Sequence, residues 1–564
     1  MINPNIRRRV ARKQCDESAY QERSAGSDGQ NVITQLENSS TLSGVLNNQR
    51  DDASPSSRTD IIEKGFSQPA FRRNPIEDQI HRYVKWRLRI MKFGGTSVGN
   101  ASCIRKVVEI IRAASRENNV VVVVSALTGV TNKLIEVATQ SGAGNSKQVA
   151  AILQELRQRH EDTAGALIHS SAERNRIVGE IRALFEEADR LCHATVLRRE
   201  LTPEVRASIL SFGERLSAPL VAAALAERGI ASEAIEATEL IITDAHHGAA
   251  EPQVDLTRDR CEVRLRPILQ KGIVPVVTGF IGSTTENVLT TLGRGSSDYS
   301  ATIVGAALNA SEVVIWTDVD GVLTADPRLL PQARTIPEIS YREATDLAYF
   351  GAKVLHPKAL RPVIPLGIPV WIRNTFAPER PGTRITLAGD ANSRGVKGLT
   401  AISDVALIVV EGPRIAGMKD ALARIFTTTV AVRADVLLIS QSSSESNVCF
   451  IVSSALAERT AKALRREFAH DLACGKIQSI VSKPAVAIVT VVGQNIHSTS
   501  EAASRTFGAL DRKNVNIVAI AQGSSHYSLS FVVFEKDMQI ALAAIHSEFG
   551  LGRSHPRALS IASD

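Results

Sequence analysis

Three glycine-rich turns hold the residues of this chain that are best suited to phosphate chemistry. Each directly follows an apolar run: Lys92-Phe-Gly-Gly-Thr-Ser-Val-Gly99, Gly293-Arg-Gly-Ser-Ser-Asp298 and Thr317-Asp-Val-Asp-Gly321. A strand that ends in such a loop, with a helix behind it, presents backbone N–H groups and a positive dipole end to an anion. The chain contains neither a Gly-x-x-x-x-Gly-Lys-Ser/Thr nor a Gly-x-Gly-x-x-Gly motif. The turns therefore predict a phosphate site that is neither a P-loop nor a dinucleotide fingerprint.

The composition predicts a globular protein and argues against several other classes. Of 564 residues, 44% are apolar and 4% aromatic, and the formal net charge is only +7. No basic stripe with interleaved aromatics occurs, so we expect no nucleic-acid partner. The six cysteines are scattered without a Cys-x-x-Cys pair, which predicts no protein-bound metal and a reducing, cytoplasmic location. The longest apolar runs are shorter than the ~18 residues of a membrane span, so we expect no membrane partner.

The first 85 residues are rich in Ser, Asn, Gln, Arg and Asp. Such a segment buries too little apolar surface to offset chain entropy, and we expect residues 1–85 to be a disordered extension. A transit peptide is the alternative, because Arg7, Arg12 and Lys13 are basic. Acidic residues follow closely at Asp16 and Glu17, whereas organellar signals are poor in acids.

Residues 86–392 alternate between strand and helix patterns. Val120–Ser125 is a β-branched apolar run, typical of a strand covered on both faces. Strands separated by helices predict an α/β domain with a mainly parallel sheet and helices on both faces, a three-layer fold. Predicted strands are 86–93, 274–279 and 313–316, and predicted helices are 104–115, 131–140, a pair within 147–193, and 216–228.

The pattern changes after about residue 393 to a β-α-β-β-α series that recurs about 80 residues later. The segment Ile439-Ser-Gln-Ser-Ser-Ser444 matches Ile520-Ala-Gln-Gly-Ser-Ser525 as an internal repeat. We therefore predict two small βαββαβ-type domains, at 393–480 and 481–551, followed by a tail at 552–564.

Four motifs in order resemble those of aspartate kinases, members of the amino-acid kinase superfamily. They are Lys-Phe-Gly-Gly-Thr-Ser at 92–97, Gly-Glu-Arg-Leu-Ser at 213–217, Trp-Thr-Asp-Val-Asp-Gly at 316–321 and Gly-Ala-Lys-Val-Leu-His-Pro at 351–357. The resemblance extends over about residues 86–551 and is greatest to the kinase part of bifunctional aspartokinase/homoserine dehydrogenases. It implies that the two repeats are ACT domains, which bind amino acids as inhibitors.

Several residues are candidates for the transfer of a phosphoryl group to a carboxylate. An aspartate side chain is already an anion at neutral pH, so the reaction needs positive charge and amide donors rather than a general base. Lys92 precedes the Gly94-Gly95 turn and can place an ammonium group against the phosphate while the turn amides hold its oxygens. Ser97, with Thr96, is either a further donor or the cap of the next helix.

The resemblance implies the remaining roles. Arg294 and Asp298 are expected to clamp the amino-acid substrate, although Asp298 alone would also fit the start of a helix. Glu214 is expected to approach the substrate, although in the first turn of a helix it would be an acid favoured by the helix dipole. Ser125 and Thr131 complete the expected substrate set, and Thr317, Asp318, Arg328 and Lys353 the nucleotide set. Leu323 replaces a tyrosine that the family usually has near the nucleotide base.

The implied reaction is ATP-dependent phosphorylation of the L-aspartate side chain to 4-phospho-L-aspartate, with Mg²⁺ accompanying ATP. Lys92 and Asp318 are the expected catalytic residues, and Asp318 or Asp320 would either orient the lysines or hold the magnesium ion. Gln441 and Gln522 occupy equivalent places in the two repeats and are expected to bind the effector, threonine or lysine. ACT domains usually pair across subunits, so a homodimer or homotetramer is expected. The alternatives are a glutamate-type kinase and a non-catalytic amino-acid-sensing subunit.

Overall fold

The computed structural model describes residues 87–552 except 294, 353, 391–394, 414–419, 442–446, 495, 497–499 and 522–526. The predicted extension at 1–85 and all of the predicted tail except Gly552 lie outside the described residues. So do three predicted site residues, Arg294, Lys353 and Gln522.

An eight-stranded sheet forms the centre of the first domain, in the order β3-β4-β2-β1-β7-β9-β10-β8. All neighbouring strands are parallel except β9 and β10, so the predicted mainly parallel sheet is confirmed. The strands are β1 (Leu88–Phe93), β2 (Asn119–Val124), β3 (Ser232–Ile235), β4 (Val274–Thr278), β7 (Glu312–Thr317), β8 (Glu338–Ser340), β9 (Val370–Asn374) and β10 (Thr383–Thr386). A separate ribbon pairs β5 (Ile281–Ser283) with β6 (Leu289–Thr291).

Helices cover both faces of this sheet. Alternate residues of β1 point to opposite layers: Met91 and Phe93 pack into one apolar core, and Leu88 and Ile90 into another. The first layer holds α1 (Ala101–Ala114), α2 (Val130–Ala143), α3 (Ser146–Leu167), α4 (Ser171–Arg198) and α5 (Pro203–Glu227); the second holds α6 (Val254–Gln270), α7 (Ser296–Ala307) and α8 (Tyr341–Tyr349). The predicted three-layer architecture is confirmed.

Helix α5 begins 13 residues earlier than predicted, at Pro203 rather than Leu216. Thr202 caps it by accepting a hydrogen bond from the Val205 amide, and Pro203 fits the first turn, where no amide partner is needed. The helix is long and apolar enough to cross a membrane by composition, but 83% of its most apolar stretch is buried inside the protein. It is the central helix of the first core.

The second half of the chain forms one antiparallel sheet in the order β12-β13-β11-β14-β16-β15. The long strands β11 (Gly395–Glu411) and β14 (Ser479–Gln494) pair along most of their length and join the two repeats. The predicted boundary at 480/481 therefore falls inside β14. The other elements are α9 (Ala421–Ala431), β12 (Leu438–Gln441), β13 (Asn447–Ser453), α10 (Ser454–Glu467), α11 (Ala469–Ala473), α12 (Ser500–Asp511), β15 (Ile517–Ala521), β16 (Ser528–Phe534) and α13 (Met538–Glu548).

The two repeats have the same arginine–glutamate contact between their helices. In the first repeat, Arg424 donates to the Glu467 side chain and backbone carbonyl, and its guanidinium lies 4.1 Å from the Phe468 ring centroid. In the second repeat, Arg505 makes the same two bonds to Glu548 and lies 4.5 Å from the Phe549 ring centroid. Matching polar contacts at matching positions confirm the internal repeat.

Candidate active site

The ends of four parallel strands meet at one edge of the sheet. The Gly94 amide, just after β1, donates to the Trp316 carbonyl of β7 at 3.1 Å. The Ser125 amide, just after β2, donates to the Phe93 carbonyl at 3.1 Å, and the Gly279 amide, just after β4, donates to the Val124 carbonyl at 2.9 Å. The carboxyl ends of the strands in an open parallel sheet are where ligands bind.

Gly94 and Gly95 shape the turn after β1. A Cβ at Gly94 would lie 3.3 Å from Lys92 Nζ, and one at Gly95 would lie 3.0 Å from the Ala126 carbonyl oxygen. Both distances are shorter than ordinary contacts, so side chains here would crowd the lysine head and the neighbouring strand end. The turn therefore brings its backbone close to a cation; the Gly94 amide is used by the Trp316 carbonyl, and half-buried Gly95 is the turn glycine left to face a phosphate.

Lys92 and Asp298 bring the first two glycine turns together. Lys92 Nζ lies 2.6 Å from Asp298 Oδ1, and both side chains are nearly buried. Asp298 stands in the first turn of α7, and Gly295 just before this helix adopts a left-handed φ of 68°. The turn after β1 and the start of α7 thus meet at this ion pair.

Glu214 is a buried acid close enough to Lys92 to feel its charge. It lies near the middle of α5, so the prediction of a first-turn position is wrong, and a helix dipole does not explain it. Burial raises the pKa of its carboxyl to about 8, against the opposing effects of the Ala126 amide bond and the charge of Lys92. Its Oε2 has no hydrogen-bond partner among the described residues. Such an orphaned buried oxygen is a binding point for a ligand donor.

Gly213 allows α5 to bring Glu214 close to Ala126 and Lys92. A Cβ at Gly213 would lie 2.7 Å from the Ala126 Cβ, so only glycine allows α5 to approach the loop after β2 this closely. The Gly-Glu pair therefore combines a close approach with a buried carboxyl.

Ser97 does not cap the next helix. Asn100 is the cap of α1 and accepts a hydrogen bond from the Cys103 amide. The Ser97 hydroxyl is buried, 2.7 Å from Thr375 Oγ1, and its amide donates to the Gly94 carbonyl. Its side chain therefore fixes the turn against the strand β9 region.

A cleft of about 880 Å³ opens beside the end of β7. Asp318 and Leu323 line it, and the Thr317 hydroxyl donates to Asp318 at 3.1 Å. Asp320 lies on the same cleft, but its carboxylate accepts from Asn374 at 2.7 Å and from Arg380. Asp320 is thus committed to protein partners.

Arg328 lies further along the same segment. Its side chain is 75% exposed, and its guanidinium pairs with the Asp326 carboxylate at 2.6 Å. The structure therefore places Arg328 near the cleft segment in a solvent-exposed ion pair.

The remaining predicted residues lie at two places. Ser125 and Thr131 follow β2, on the loop and in the first turn of α2, and both are half-buried. Gln441 is exposed at the end of β12. The neighbouring Ser440 hydroxyl donates to the Ile520 carbonyl at 2.9 Å, so the ends of β12 and β15 approach each other.

Sequence reasoning missed several residues that support the turn after β1. The Thr128 hydroxyl donates to the Gly95 carbonyl at 2.8 Å, and Arg159 donates to the Gly99 carbonyl at 2.9 Å. Thr375 holds Ser97. These residues come from distant segments and carry no local motif, so no sequence pattern points to them.

Metal binding by protein ligands alone has no support in the described residues, where no group of three or more His, Cys, Asp or Glu side chains is placed to hold an ion. The donor set instead fits a nucleotide phosphate, because it includes the Lys92 ammonium group and the Gly95 amide.

The mainly parallel three-layer domain and the two repeats that follow it agree with the family models. A model of the amino acid kinase family matches residues 87–374, and an ACT domain model matches residues 408–468 and 489–549. The chain belongs to the amino acid kinase family, among the aspartokinases.

Two relatives show the extent of the similarity. The chain is 35% identical over 488 residues to a chloroplastic bifunctional aspartokinase/homoserine dehydrogenase of Daucus carota, covering 85% of this chain and 52% of that protein. It is 32% identical over 485 residues to chloroplastic aspartokinase 1 of Arabidopsis thaliana, covering 82% and 80%. The chain thus spans about half the length of the bifunctional relatives it matches.

Solved structures show the same fold. Escherichia coli aspartokinase III in complex with aspartate and ADP matches with a TM-score of 0.68 and 28% identity, over 82% of this chain and all of that one. Clostridium acetobutylicum aspartate kinase matches with a TM-score of 0.68 and 25% identity, over 82% of this chain and all of that one.

Proposed function

We propose that the chain phosphorylates the side-chain carboxylate of L-aspartate with ATP, giving 4-phospho-L-aspartate. The single observation that carries the proposal is the 2.6 Å pair between Lys92 and Asp298, which unites a phosphate cradle with a substrate loop. Support comes from the relatives named aspartokinase and from the solved relative that binds aspartate and ADP.

The reaction requires an anionic carboxylate to approach an anionic phosphate. The Lys92 ammonium group and the Gly95 amide lower the repulsion by placing positive charge at the phosphate oxygens, whereas the Gly94 amide is bonded to the Trp316 carbonyl and holds the turn. Asp298, paired with Lys92, fixes the direction of the ammonium group. The N-terminal end of α7 adds its positive dipole on the substrate side.

The buried Glu214 carboxyl and Asp298 are the acidic groups that would receive the α-ammonium group of the substrate. Arg294 is the proposed partner of its α-carboxylate. A magnesium ion bound with the nucleotide would neutralise phosphate charge, and Asp318 is the cleft carboxylate we propose to face it. Thr317 and Lys353 complete the proposed nucleotide set.

A coupled assay tests the proposal. Purified protein is incubated with ATP, magnesium and either aspartate or glutamate, and the acyl phosphate is trapped as a hydroxamate. We expect product with aspartate and none with Lys92→Met. Product with glutamate alone would favour a glutamate-type kinase, and no product with either would favour an amino-acid-sensing subunit.

We further propose an effector site at the ends of β12 and β15, with Gln441 and Gln522 as ligands for threonine or lysine. The ACT matches and a relative solved with lysine and aspartate support it. Titration of each amino acid against activity tests it, with Gln441→Ala and Gln522→Ala beside the wild type; inhibition unchanged in both variants would contradict it.

A homodimer or homotetramer formed through the ACT domains is the proposed assembly, and light scattering at several concentrations tests it. The cytoplasm is the proposed compartment, on the grounds of the scattered cysteines, and cell fractionation tests it.

A further inference from the structure

The segment that follows Asp318 is packed against the second ACT repeat rather than only against its own domain. Thr324, next to Leu323 on the cleft wall, is buried, and its backbone carbonyl accepts from the Leu399 amide of β11 at 2.8 Å. Its hydroxyl lies 3.1 Å from Nε2 of His546, a buried residue of α13. A strand of the regulatory sheet and helix α13 thus hold one residue that lines the cleft.

Apolar contacts continue this attachment. Ala325 and Leu330, on the same segment, belong to the core of the second repeat, together with Leu542 and Ile545 of α13. The Gln539 side chain also donates to the Leu329 carbonyl at 3.3 Å. The cleft segment is therefore part of two cores at once.

The end of the second repeat forms a wall of the same cleft. Phe549, Gly550 and Leu551 line it, as do Asp318 and Leu323. The Arg334 guanidinium, from the end of the cleft segment, donates to the Gly552 carbonyl. The cleft thus has one wall from the kinase domain and one from the regulatory sheet.

The Thr324 hydroxyl contacts both the His546 ring and the Arg334 backbone amide. The Thr324 hydroxyl also accepts from the Arg334 amide at 3.0 Å, which leaves its proton free to bond the imidazole. Burial lowers the pKa of His546, which favours the neutral ring, and Nε2 accepts the Thr324 proton in the tautomer that carries its own proton on Nδ1. Arg334 lies on the cleft as well; its backbone amide bonds the Thr324 hydroxyl, and its guanidinium bonds the Gly552 carbonyl.

We propose that Thr324 and His546 are positioning residues for the nucleotide: the second ACT repeat holds the segment 322–335 in place, and loosening it weakens nucleotide binding without weakening aspartate binding. The inference rests on the proposed function in taking this cleft as the nucleotide site. The aspartate set, around Glu214 and Asp298, lies on α5 and α7, outside the segment held by the repeat.

The test measures ADP binding by titration calorimetry, and the Michaelis constants for ATP and aspartate, in the full chain. We expect His546→Leu and Thr324→Val each to weaken ADP binding about tenfold and to raise the Michaelis constant for ATP about tenfold. This is the scale of one broken buried hydrogen bond. The aspartate constant should change less than about twofold. His546→Gln places an amide where Nε2 stands and should restore most of the affinity.

Thr460→Val is the matched control. Thr460 is a buried residue of α10, the helix of the first repeat that corresponds to α13, and its hydroxyl donates to the Leu456 backbone carbonyl within its own helix. It should lower stability without changing either Michaelis constant.

Unchanged ADP affinity in both variants, equal shifts for both substrates, or the same ATP shift in Thr460→Val would overturn the inference. A wild type that binds ADP but does not phosphorylate aspartate would refute the proposed function alone, because ADP binding still decides the positioning role. A wild type that binds no ADP would refute both.

Discussion

The perturbed carboxyl of Glu214 makes aspartate binding depend on pH. Its pKa of about 8 means that the group is protonated in the free protein at neutral pH. A bound α-ammonium group requires the ionised form, so binding at lower pH must first remove a proton. Affinity for aspartate should therefore rise with pH until the carboxyl ionises in the free protein as well.

The magnitude follows from the pKa. Aspartate affinity should be weakened about 11-fold at pH 7, about 100-fold at pH 6 and only about twofold at pH 8, relative to its limit at high pH. Binding at pH 7 should release ~0.9 proton per aspartate, which calorimetry in buffers of different ionisation enthalpy measures directly.

Two variants complete this test. Glu214→Gln cannot ionise and should bind aspartate weakly with little pH dependence and no proton release. Glu204→Gln, on the exposed first turn of the same helix, should keep the wild-type profile. Affinity that is flat between pH 6 and 8.5 in the wild type, or a slope retained in Glu214→Gln, would refute the reasoning.

Three further predictions concern stability. Lys92→Met should cost roughly 3–5 kcal/mol in urea unfolding, because Asp298 is left buried without its partner, and Asp298→Asn added to it should recover part of the loss. Burial lowers the pKa of His160 to about 4 from an ordinary 6.5, so the unfolded chain takes up the proton first as pH falls. The contribution of neutral His160 to the free energy of unfolding is complete above pH 6.5 and is lost as the pH falls towards 4. Between pH 7.5 and 5, the free energy of unfolding should fall by about 2 kcal/mol more in the wild type than in His160→Leu. Gly321→Ala should cost about 3 kcal/mol, because φ is 134° and the new Cβ would lie 2.5 Å from Thr383 Oγ1.

Each of these three predictions has a control variant or a result that would contradict it. Full stability of Lys92→Met would show that the pair with Asp298 is not formed in solution. Equal acid sensitivity of the wild type and His160→Leu would assign the effect to other groups. Gly229→Ala, at a left-handed position with open space around it, should lower the free energy of unfolding by only about 1 kcal/mol. If Gly321→Ala lowered it by no more than Gly229→Ala, the crowding argument would be contradicted.

Much of the fold followed from local patterns. The β-branched run at 120–125 and the glycine turns placed the central strands and their loops, because apolar periodicity and φ-tolerant residues act over a few neighbours. The internal repeat was also visible. The predicted start of α5 was wrong. The Ala/Leu-rich pattern is confined to the second half of this helix, whereas its cap, Thr202, lies well upstream.

Local residue types were enough to show which residues could bind phosphate, since the turn after Lys92 needs only adjacent residues of the right types. They did not determine the partners of those residues. The pairing of Lys92 with Asp298, the burial that raises the pKa of Glu214, and the attachment of Thr324 to His546 join residues far apart in the chain. Contacts of this kind exist only after the sheets and helices have packed, because solvent exclusion and the crossing of distant strands arise in the tertiary structure alone.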